Sequence, residues 1–369
     1  MTVSILLSST AFRGSAVGLV AVAALGGATT SASAAPCRPE VVAEVLAPVS
    51  ETQRWVNVTC DLKLSRNDVV TKQLFFIGRA SSGVKVDCGG ATIGGVSKVP
   101  RVTAGIVVRS QGETPEQMAS DRPESITIAN CRLQGTIRVT GVGINGEDKK
   151  VTASSHSAGH TQRMQAAAPT GITFSNMTIT GTGPIPIYLA PGVTRVTLRD
   201  SRINGRTAGP VIYLDAESGH NQIVGNRFDI ETAKRELIAV DGSADNRIAD
   251  NRFSGLSNGG VYVYRNCGEG GTVRHQQPQR NVIEGNEFYY DRYFGLSPAI
   301  WLGSRMGARN YCNLDKGFPF GSSADDRDFA NGNAVLSNRF VKRPPDLMIR
   351  DMGAENRIDG NRMVREASK

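Results

Sequence analysis

The chain has 369 residues, a formal net charge of +8 and only 6% aromatic residues. A basic balance favours anionic partners, such as acidic polysaccharides, over nucleic acid outside the cytoplasm, although it also fits a generally cationic surface. No apolar run approaches the roughly 20 residues that span a bilayer, which excludes a transmembrane helix. Residues 1–34 combine Arg13, an apolar small-residue stretch and an Ala32-Ser33-Ala34 cleavage motif. They predict a secretory signal peptide, and hence a secreted or periplasmic protein.

A short motif recurs through the second half of the chain. It fits the template N-x-(I/V)-x-x-N-x-(F/M) and begins at positions 221, 246, 281, 333 and 356. With looser earlier copies included, the basic period is 23 to 25 residues, and three longer intervals contain insertions. Each period holds short alternating apolar runs separated by Gly, Asn, Asp and Ser, which is typical of strands. Stacked coils would place equivalent residues about 4.8 Å apart, so we expect the recurring Asn to form a structural hydrogen-bonded ladder.

These repeats resemble the right-handed parallel β-helix superfamily over about residues 75–363. Its members include pectate lyases, polygalacturonases, alginate-modifying enzymes and phage tailspikes. Leucine-rich repeats have a similar period, but their leucine-dense consensus is absent. The resemblance implies an all-β solenoid, which we expect to form one domain over residues 35–369. It implies no particular activity, because the Arg-x-Pro-x-x-Arg, Asp-Pro-His-Asp, Gly-His-Gly and Arg-Ile-Lys motifs of its enzymes are missing.

The open end of such a solenoid exposes strand edges and needs a cover. Residues 36–56 predict an amphipathic helix that caps the first coil. Six cysteines are an even number in an oxidising compartment and favour three disulfides, although about fifteen pairings exist on paper. Cys37 and Cys60 could join the cap to the first coil, and Cys88 and Cys131 occupy comparable template positions in the repeat. Cys267 and Cys312 lie in insertions of successive coils, so these three pairs are favoured.

A further strand of each coil carries the predicted groove. Copies begin near positions 185, 210, 236, 260, 299 and 346, and all three insertions, about 141–169, 265–280 and 303–332, begin just after it. Insertions in repeat proteins tend to build the binding face. If the aliphatic residues alternate inward, the outward aromatic and cationic side chains either contact sugar rings or pack beneath the loops. The predicted substrate-binding residues are Arg138, Tyr188, Tyr213, Tyr262, Trp301 and Arg305.

Two carboxylates occupy the same strand position in adjacent coils. Asp215 and Asp241 should therefore lie roughly 5 Å apart. Like charges at that distance raise one pKa, which would suit a retaining glycosidase, and the same pair would suit calcium. Taken alone, each Asp is better explained as a strand-end turn residue hydrogen-bonded to backbone, and their alignment is what favours a functional pair.

The second insertion holds the densest set of reactive side chains. Its candidates are Tyr264, Arg265, Glu269, Arg274 and His275. Elimination from a uronate needs a cation for the carboxylate, a base for the C5 proton and an acid for the leaving oxygen. Arg265 or Arg274, His275 and Tyr264 suit these tasks, whereas a solvated charged loop is the alternative.

Three functions stay open at this point. The leading hypothesis is a lyase or C5-epimerase acting on an acidic extracellular polysaccharide. A glycoside hydrolase that uses Asp215 and Asp241, perhaps with Glu269, is the second, and a non-catalytic polysaccharide-binding or export-assisting protein is the third. We expect a monomer, no nucleic-acid partner, and no cofactor other than a possible calcium ion at the Asp pair.

Overall fold

The structure is a computed structural model, and it describes residues 34–95, 105–144, 148–290, 297–305, 312, 317–323 and 330–366. The predicted signal peptide, residues 1–34, lies outside them except for Ala34. Within these ranges, thirty strands form three sheets of ten strands. Each strand pairs in parallel with the strand three places further along the chain, so every coil adds one strand to each sheet. This is the predicted parallel β-helix.

The sheets are named by their order within a coil. The first sheet contains Trp55–Asn57, Gln73–Ile77, Gly105–Arg109, Thr136–Thr140, Ile187–Leu189, Ile212–Leu214, Ile238–Asp241, Val261–Tyr264, Ile300–Leu302 and Ile349–Asp351. The second contains Leu62–Lys63, Lys85–Asp87, Thr127–Ala129, Thr173–Ser175, Thr197–Arg199, Gln222–Val224, Arg247–Ala249, Val282–Glu284, Ala334–Leu336 and Arg357–Asp359. The third contains Val69–Val70, Thr92–Gly94, Arg132–Gln134, Thr178–Gly181, Arg202–Thr207, Arg227–Thr232, Arg252–Ser254, Glu287–Tyr289, Arg339–Val341 and Arg362–Val364.

The repeated template covers the second strand, a turn and the third strand of a coil. Its aliphatic position is the centre of the second-sheet strand, as at Ile223, and its aromatic position is the second residue of the third-sheet strand, as at Phe228. Both side chains are buried, and the aromatic rings of successive coils stack at 4.7, 5.0 and 5.3 Å between centroids. The stacked rings are those of Phe228, Phe253, Phe288 and Phe340. The hydrophobic core thus runs along the inside of the coils.

The turn inside the template needs a left-handed residue just before the second Asn. Gly225 and Gly285 have φ of 68° and 63°, and Asp250 takes the same conformation at 56°. Glycine adopts this region without a Cβ clash, and Asp tolerates it better than most side chains do. This backbone requirement explains why Gly or a short polar residue fills that template position.

Two ladders of asparagine side chains connect the coils. In each, the backbone N–H of one Asn donates to the side-chain oxygen of the Asn one coil later, as from Asn226 to Asn251 at 2.9 Å. The ladders consist of Asn221, Asn246, Asn281, Asn333 and Asn356, and of Asn226, Asn251, Asn286, Asn338 and Asn361. The predicted ladder is confirmed, and the first template Asn forms a second one.

The N-terminal cap is shorter than the sequence predicts. The helix spans Pro39–Leu46, and Trp55 already belongs to the first strand, so the helix expected over residues 36–56 is wrong in its extent. Ala47 precedes Pro48, and a residue before proline avoids the helical region; its ψ of 139° ends the helix there. Val45 is fully buried in the core, so the helix does cover the first coil.

Three disulfides join the six cysteines. They are Cys37–Cys60, Cys88–Cys131 and Cys267–Cys312, with Cα–Cα distances of 4.9, 4.9 and 5.5 Å. These are the three pairs that the sequence favours. The first joins the cap to the first coil, and the third pins the second insertion to the third.

The remaining helices lie in the loops. They are Pro115–Ser120, Lys149–Ser155, His160–Ala167 and Pro345–Met348, with 3-10 turns at Arg79–Ser81, Leu256–Asn258 and Glu269–Gly271. The two helices of the first insertion were not predicted; Asp148 caps the first of them by accepting a hydrogen bond from the N–H of Lys150. The strand expected from position 346 begins only at Ile349, because Pro345 starts a helical turn.

Candidate functional site

The outward positions of the first sheet form one row across the middle of the β-helix. In register order the row contains Arg138, Tyr188, Tyr213, Ala239, Tyr262, Trp301 and Arg350. Their strand neighbours, such as Ile212 and Leu214, point into the main core, whereas Ala239 and Tyr262 form a separate outer cluster with Tyr264. The inward and outward positions are therefore those that the alternation predicts.

The insertions cover much of this row. Tyr188 and Tyr262 are only 7% and 8% exposed, and Tyr264 is 1% exposed, so for these three the alternative of packing beneath the loops is the one observed. Tyr213, Trp301 and four cationic side chains stay partly or fully exposed. The cations are Arg138, Arg235, Arg305 and Arg350. The accessible part of the face is thus aromatic and basic.

The two aligned carboxylates lie at the centre of the row. Asp215 and Asp241 directly follow the paired residues Leu214 and Val240, and they are 4% and 0% exposed. The guanidinium of Arg274, from the second insertion, lies between them: Nη1 is 3.3 Å from Asp215 Oδ1, and Nη2 is 3.5 Å from Asp241 Oδ2. An insertion residue therefore pairs with both carboxylates at once.

Tyrosines and an amide complete this group. The hydroxyl of Tyr188 donates to Asp215 Oδ2, and the hydroxyl of Tyr213 donates to Asp241 Oδ2, each at 2.5 Å. Asn266 donates to Asp241 from its backbone N–H and from Nδ2, both at 2.7 Å. We call these six residues, Asp215, Asp241, Arg274, Tyr188, Tyr213 and Asn266, the carboxylate cluster.

Burial dominates the protonation of the carboxylate cluster. It raises the pKa of Asp215 to about 6; Arg274 opposes this shift and the charge of Asp241 adds to it. Burial alone would lower the pKa of Arg274, but the charges of Asp241 and Asp215 raise it, so the guanidinium stays charged. Burial and then the charge of Asp241 raise the pKa of Tyr213 well above 10, which keeps the phenol a hydrogen-bond donor. With its pKa raised to about 6, Asp215 changes charge in the weakly acidic range.

A second polar group lies toward the start of the same strands. Tyr264 leans back over the small Ala239, donates to Glu236 Oε1 at 2.8 Å and accepts from Arg235 Nη2 at 2.6 Å. The guanidinium of Arg305 lies over the ring of Tyr264, with its carbon 4.9 Å from the ring centroid. We call Tyr264, Glu236, Arg235 and Arg305 the tyrosine cluster.

The structure does not assemble the catalytic trio predicted from the second insertion. Arg274 is engaged by the two Asp residues, and Tyr264 by the tyrosine cluster. His275 Nε2 lies 2.8 Å from the carbonyl of Ser155, with its ring stacked on that of Phe320. Arg265 donates to the carbonyl of Arg274 and is 6% exposed. The side chains disperse because each finds a different partner as the loop docks on the sheet.

Two predictions remain, the catalytic role of Glu269 and a calcium ion between Asp215 and Asp241. Glu269 lies exposed in a 3-10 turn. A guanidinium occupies the space between Asp215 and Asp241 where a calcium ion would bind, so this pair does not fit a calcium site. Among the described residues, no group of three or more His, Cys, Asp or Glu could hold a metal ion.

A family model described as "Right handed beta helix region" matches residues 104–291, which is 188 of the 369 residues. The chain belongs to the right-handed β-helix family. No curated protein matches it. None of the helices that the structure describes is long and apolar enough to cross a membrane.

Solved structures similar to this β-helix protein have low sequence identity. An alginate lyase from Paenibacillus sp. str. FPU-7 is 12% identical with a TM-score of 0.49, covering 84% of this chain and 90% of that one. The A-module of a mannuronan C-5 epimerase from Azotobacter vinelandii is 12% identical with a TM-score of 0.40, covering 85% and 84%. A DFA-IIIase from Arthrobacter chlorophenolicus A6 is 11% identical with a TM-score of 0.33, covering 88% and 82%.

Three members of the two clusters were not predicted from the sequence. Asn266 follows Arg265 in the second insertion, and Arg235 and Glu236 precede a first-sheet strand. Glu236 could have been predicted, because a carboxylate two residues before a buried strand needs a cationic or donor partner. Asn266 carried no such signal, since its contact with Asp241 depends on how the loop docks.

Proposed function

We propose that this β-helix protein is an enzyme that acts on an acidic polysaccharide bound along the outward face of the first sheet. One observation carries the proposal: the partly exposed Tyr213 places its hydroxyl 2.5 Å from the buried carboxylate of Asp241. A phenol on a partly exposed side chain, hydrogen-bonded to a carboxylate, can relay a proton between a bound substrate and that carboxylate. Trp301 and the partly exposed arginines of the same face supply contacts for sugar rings and carboxylates.

The proposed reaction begins with removal of the C5 proton of a uronate. Tyr213 Oη takes this proton while its own proton passes to Asp241 Oδ2, so Tyr213 ends as a neutral phenol and Asp241 as a neutral acid. Asn266 Nδ2, 3.3 Å from Tyr213 Oη, helps to hold the phenol in place. In elimination, the C4 oxygen leaves as a hydroxyl by taking a proton from Tyr213 Oη, and Asp241 returns its proton to the phenol, so an unsaturated sugar forms and Asp241 is ionised again. In epimerisation, a water molecule gives a proton to the opposite face of C5, and Asp241 releases its proton to solvent. Arg305 and Arg235 are the candidates to neutralise the uronate carboxylate.

A pair of matched variants tests this proposal. Tyr213→Phe removes the relay and keeps the ring, so activity on polygalacturonate or alginate should fall by about 100-fold or more. Tyr188→Phe removes the equivalent hydroxyl one coil earlier, where the side chain is only 7% exposed, and should retain most activity. Ultraviolet absorbance detects unsaturated products, and proton NMR detects epimers. Equal activity of both variants and the unchanged protein would overturn the relay.

Hydrolysis is the second candidate, because Asp215 titrates near pH 6 beside Asp241 and could act as an acid. It predicts new reducing ends without ultraviolet absorbance, and loss of cleavage in both Asp215→Asn and Asp241→Asn. Binding of the glycans with no product of either kind would favour the third function, a non-catalytic polysaccharide-binding protein.

We also propose that residues 1–34 are removed and that the rest forms one secreted or periplasmic domain. Three disulfides among the described residues support an oxidising compartment. N-terminal sequencing of the exported protein should start at Ala35, and a start at Met1 would contradict the proposal.

A further inference from the structure

The third sheet carries a row of arginines along its outward surface. One register position of this sheet runs through Arg132, Thr178, Arg202, Arg227, Arg252, Glu287, Arg339 and Arg362. Because parallel strands lie about 4.8 Å apart, Arg202, Arg227 and Arg252 span about 10 Å in three consecutive coils. We call these three residues the arginine track.

The carboxylates beside this row do not balance it. Asp229 is shared by Arg202, at 3.0 Å, and Arg227, at 2.7 Å. The strands of the third sheet contain seven arginines against Asp229, Glu231 and Glu287, an excess of four positive charges. Arg202 and Arg227 are 58% and 52% exposed, so their charges face solvent. This surface therefore attracts anions.

A cleft of about 410 Å³ opens on the same track. It forms at a step in the sheet: strand Arg227–Thr232 has six residues, whereas its neighbour Arg252–Ser254 has three, and the chain turns away at Gly255 with φ of 79°. Arg227, Arg252, Ser254 and Tyr289 line the cleft together with Asp229 and Glu231. Hydroxyl, guanidinium, carboxylate and aromatic groups thus converge on one concave surface, and the unbalanced positive charge of the track lies beside it on Arg202.

We propose that the arginine track and its cleft form a second, non-catalytic site that binds a polysaccharide carrying carboxylate groups. The guanidinium groups would bind the carboxylates, and Ser254 and Tyr289 would contact sugar hydroxyls and rings. A polysaccharide fits better than an anionic membrane, because the surface is concave and no exposed large apolar side chain of the described residues lines the cleft. The site lies on a different sheet from the carboxylate cluster, so it would hold a chain without placing it at Tyr213.

A charge-matched pair of triple variants tests the site. The first carries Arg202→Gln, Arg227→Gln and Arg252→Gln; the control carries Arg199→Gln, Arg247→Gln and Arg357→Gln, which remove three exposed or partly exposed arginines from the second sheet. Both are made in the Tyr213→Phe background, so that turnover does not disturb binding. Calorimetric titration with polygalacturonate should give about tenfold weaker binding for the track variant only, with a shallower dependence of log Kd on log salt.

A second readout locates the contact directly. Phenylglyoxal modifies accessible arginines, and peptide mass spectrometry should show that polygalacturonate protects Arg202 and Arg227 but leaves Arg199 reactive. Equal weakening in both triple variants, or no protection of the track, would overturn the proposal. Tighter binding to phosphatidylglycerol vesicles than to polygalacturonate would overturn it in favour of a membrane surface. None of these outcomes depends on catalysis, so they leave the proposed function to its own test.

Discussion

Replacing one buried asparagine should show what the ladders contribute to stability. Asn251 is 1% exposed and makes four side-chain hydrogen bonds to neighbouring coils. Its oxygen accepts from the backbone N–H of Asn226 at 2.9 Å and from Asn226 Nδ2 at 3.0 Å. Its amide donates to the carbonyl of Ile223 at 2.7 Å and to Asn286 Oδ1 at 3.0 Å. Asn251→Ala removes all four at once.

The loss of unfolding free energy in Asn251→Ala depends on which groups are left without a hydrogen-bond partner. Asn226 Nδ2 still donates to the carbonyl of Leu198, and Asn286 Oδ1 still accepts from the backbone N–H of Asn251. The carbonyl of Ile223 lies inside a strand that is paired on both sides, so the backbone N–H of Asn226 is the group that loses its partner. A buried group left unsatisfied costs about 1–3 kcal/mol and each of the other three lost bonds costs about 1 kcal/mol, so we expect the free energy of unfolding to fall by about 3–5 kcal/mol. That is a large share of the ~5–15 kcal/mol typical of a folded protein.

Urea unfolding with intact disulfides, followed by circular dichroism, measures this loss. Asn204→Ala is the control, because Asn204 lies on the outward side of the third sheet and should change stability by less than about 0.5 kcal/mol. A loss for Asn251→Ala no larger than that of the control would refute the reasoning. The ladders would then be a geometric by-product of stacking rather than a source of stability.

Two further predictions concern the carboxylate cluster. Arg274→Met leaves Asp215 and Asp241 without their cation, so stability should fall by about 3–5 kcal/mol near pH 8 and by less near pH 5, where protonation relieves the carboxylates. Equal losses in thermal unfolding at both pH values would contradict the ion-pair argument. Because burial raises the pKa of Asp215 from 3.8 to about 6, the stability it contributes is complete below pH ~4 and is lost as pH rises through about 6. Asp215→Asn should remove that pH dependence, worth about 3 kcal/mol; an unchanged profile argues against it.

The fold could be predicted from the sequence because each template position has one structural role. The aliphatic and aromatic positions fill the core of two sheets, the residue before the second Asn turns the chain, and both Asn side chains bond the next coil. These roles recur every 23 to 25 residues, so a few exact copies are enough to identify them. The alignment of Asp215 with Asp241 followed from the same register.

The hydrogen-bond and ion-pair partners of the site residues could not be predicted from the repeat. Each insertion occurs only once in the chain, so the repeat pattern does not predict which sheet residues Arg274 or Asn266 will contact. Tyr213 leans toward the end of its strand to reach Asp241, whereas Tyr264 leans back over Ala239 to reach Glu236, and that choice depends on the neighbouring coils. The arginine row was not predicted, although the repeats contain it: Arg follows the second Asn in four of the five template copies, at positions 227, 252, 339 and 362.

The ladders also determine how the chain can gain or lose a coil, because each coil adds one Asn to each ladder. Asn221 and Asn246 are separated by 25 residues, and their backbone N–H groups make equivalent bonds to the Asn of the next coil. Deleting residues 222–246 as a block would join Asn221 to Arg247 and let every rung re-form one coil shorter, and duplicating the block would lengthen the molecule in the same way. Unequal recombination in a gene can therefore add or remove a whole coil without a new core. Deletion would remove Asp241 with the block, and duplication would move Tyr213 one coil further from the second insertion, so the carboxylate cluster needs the present number of coils between them.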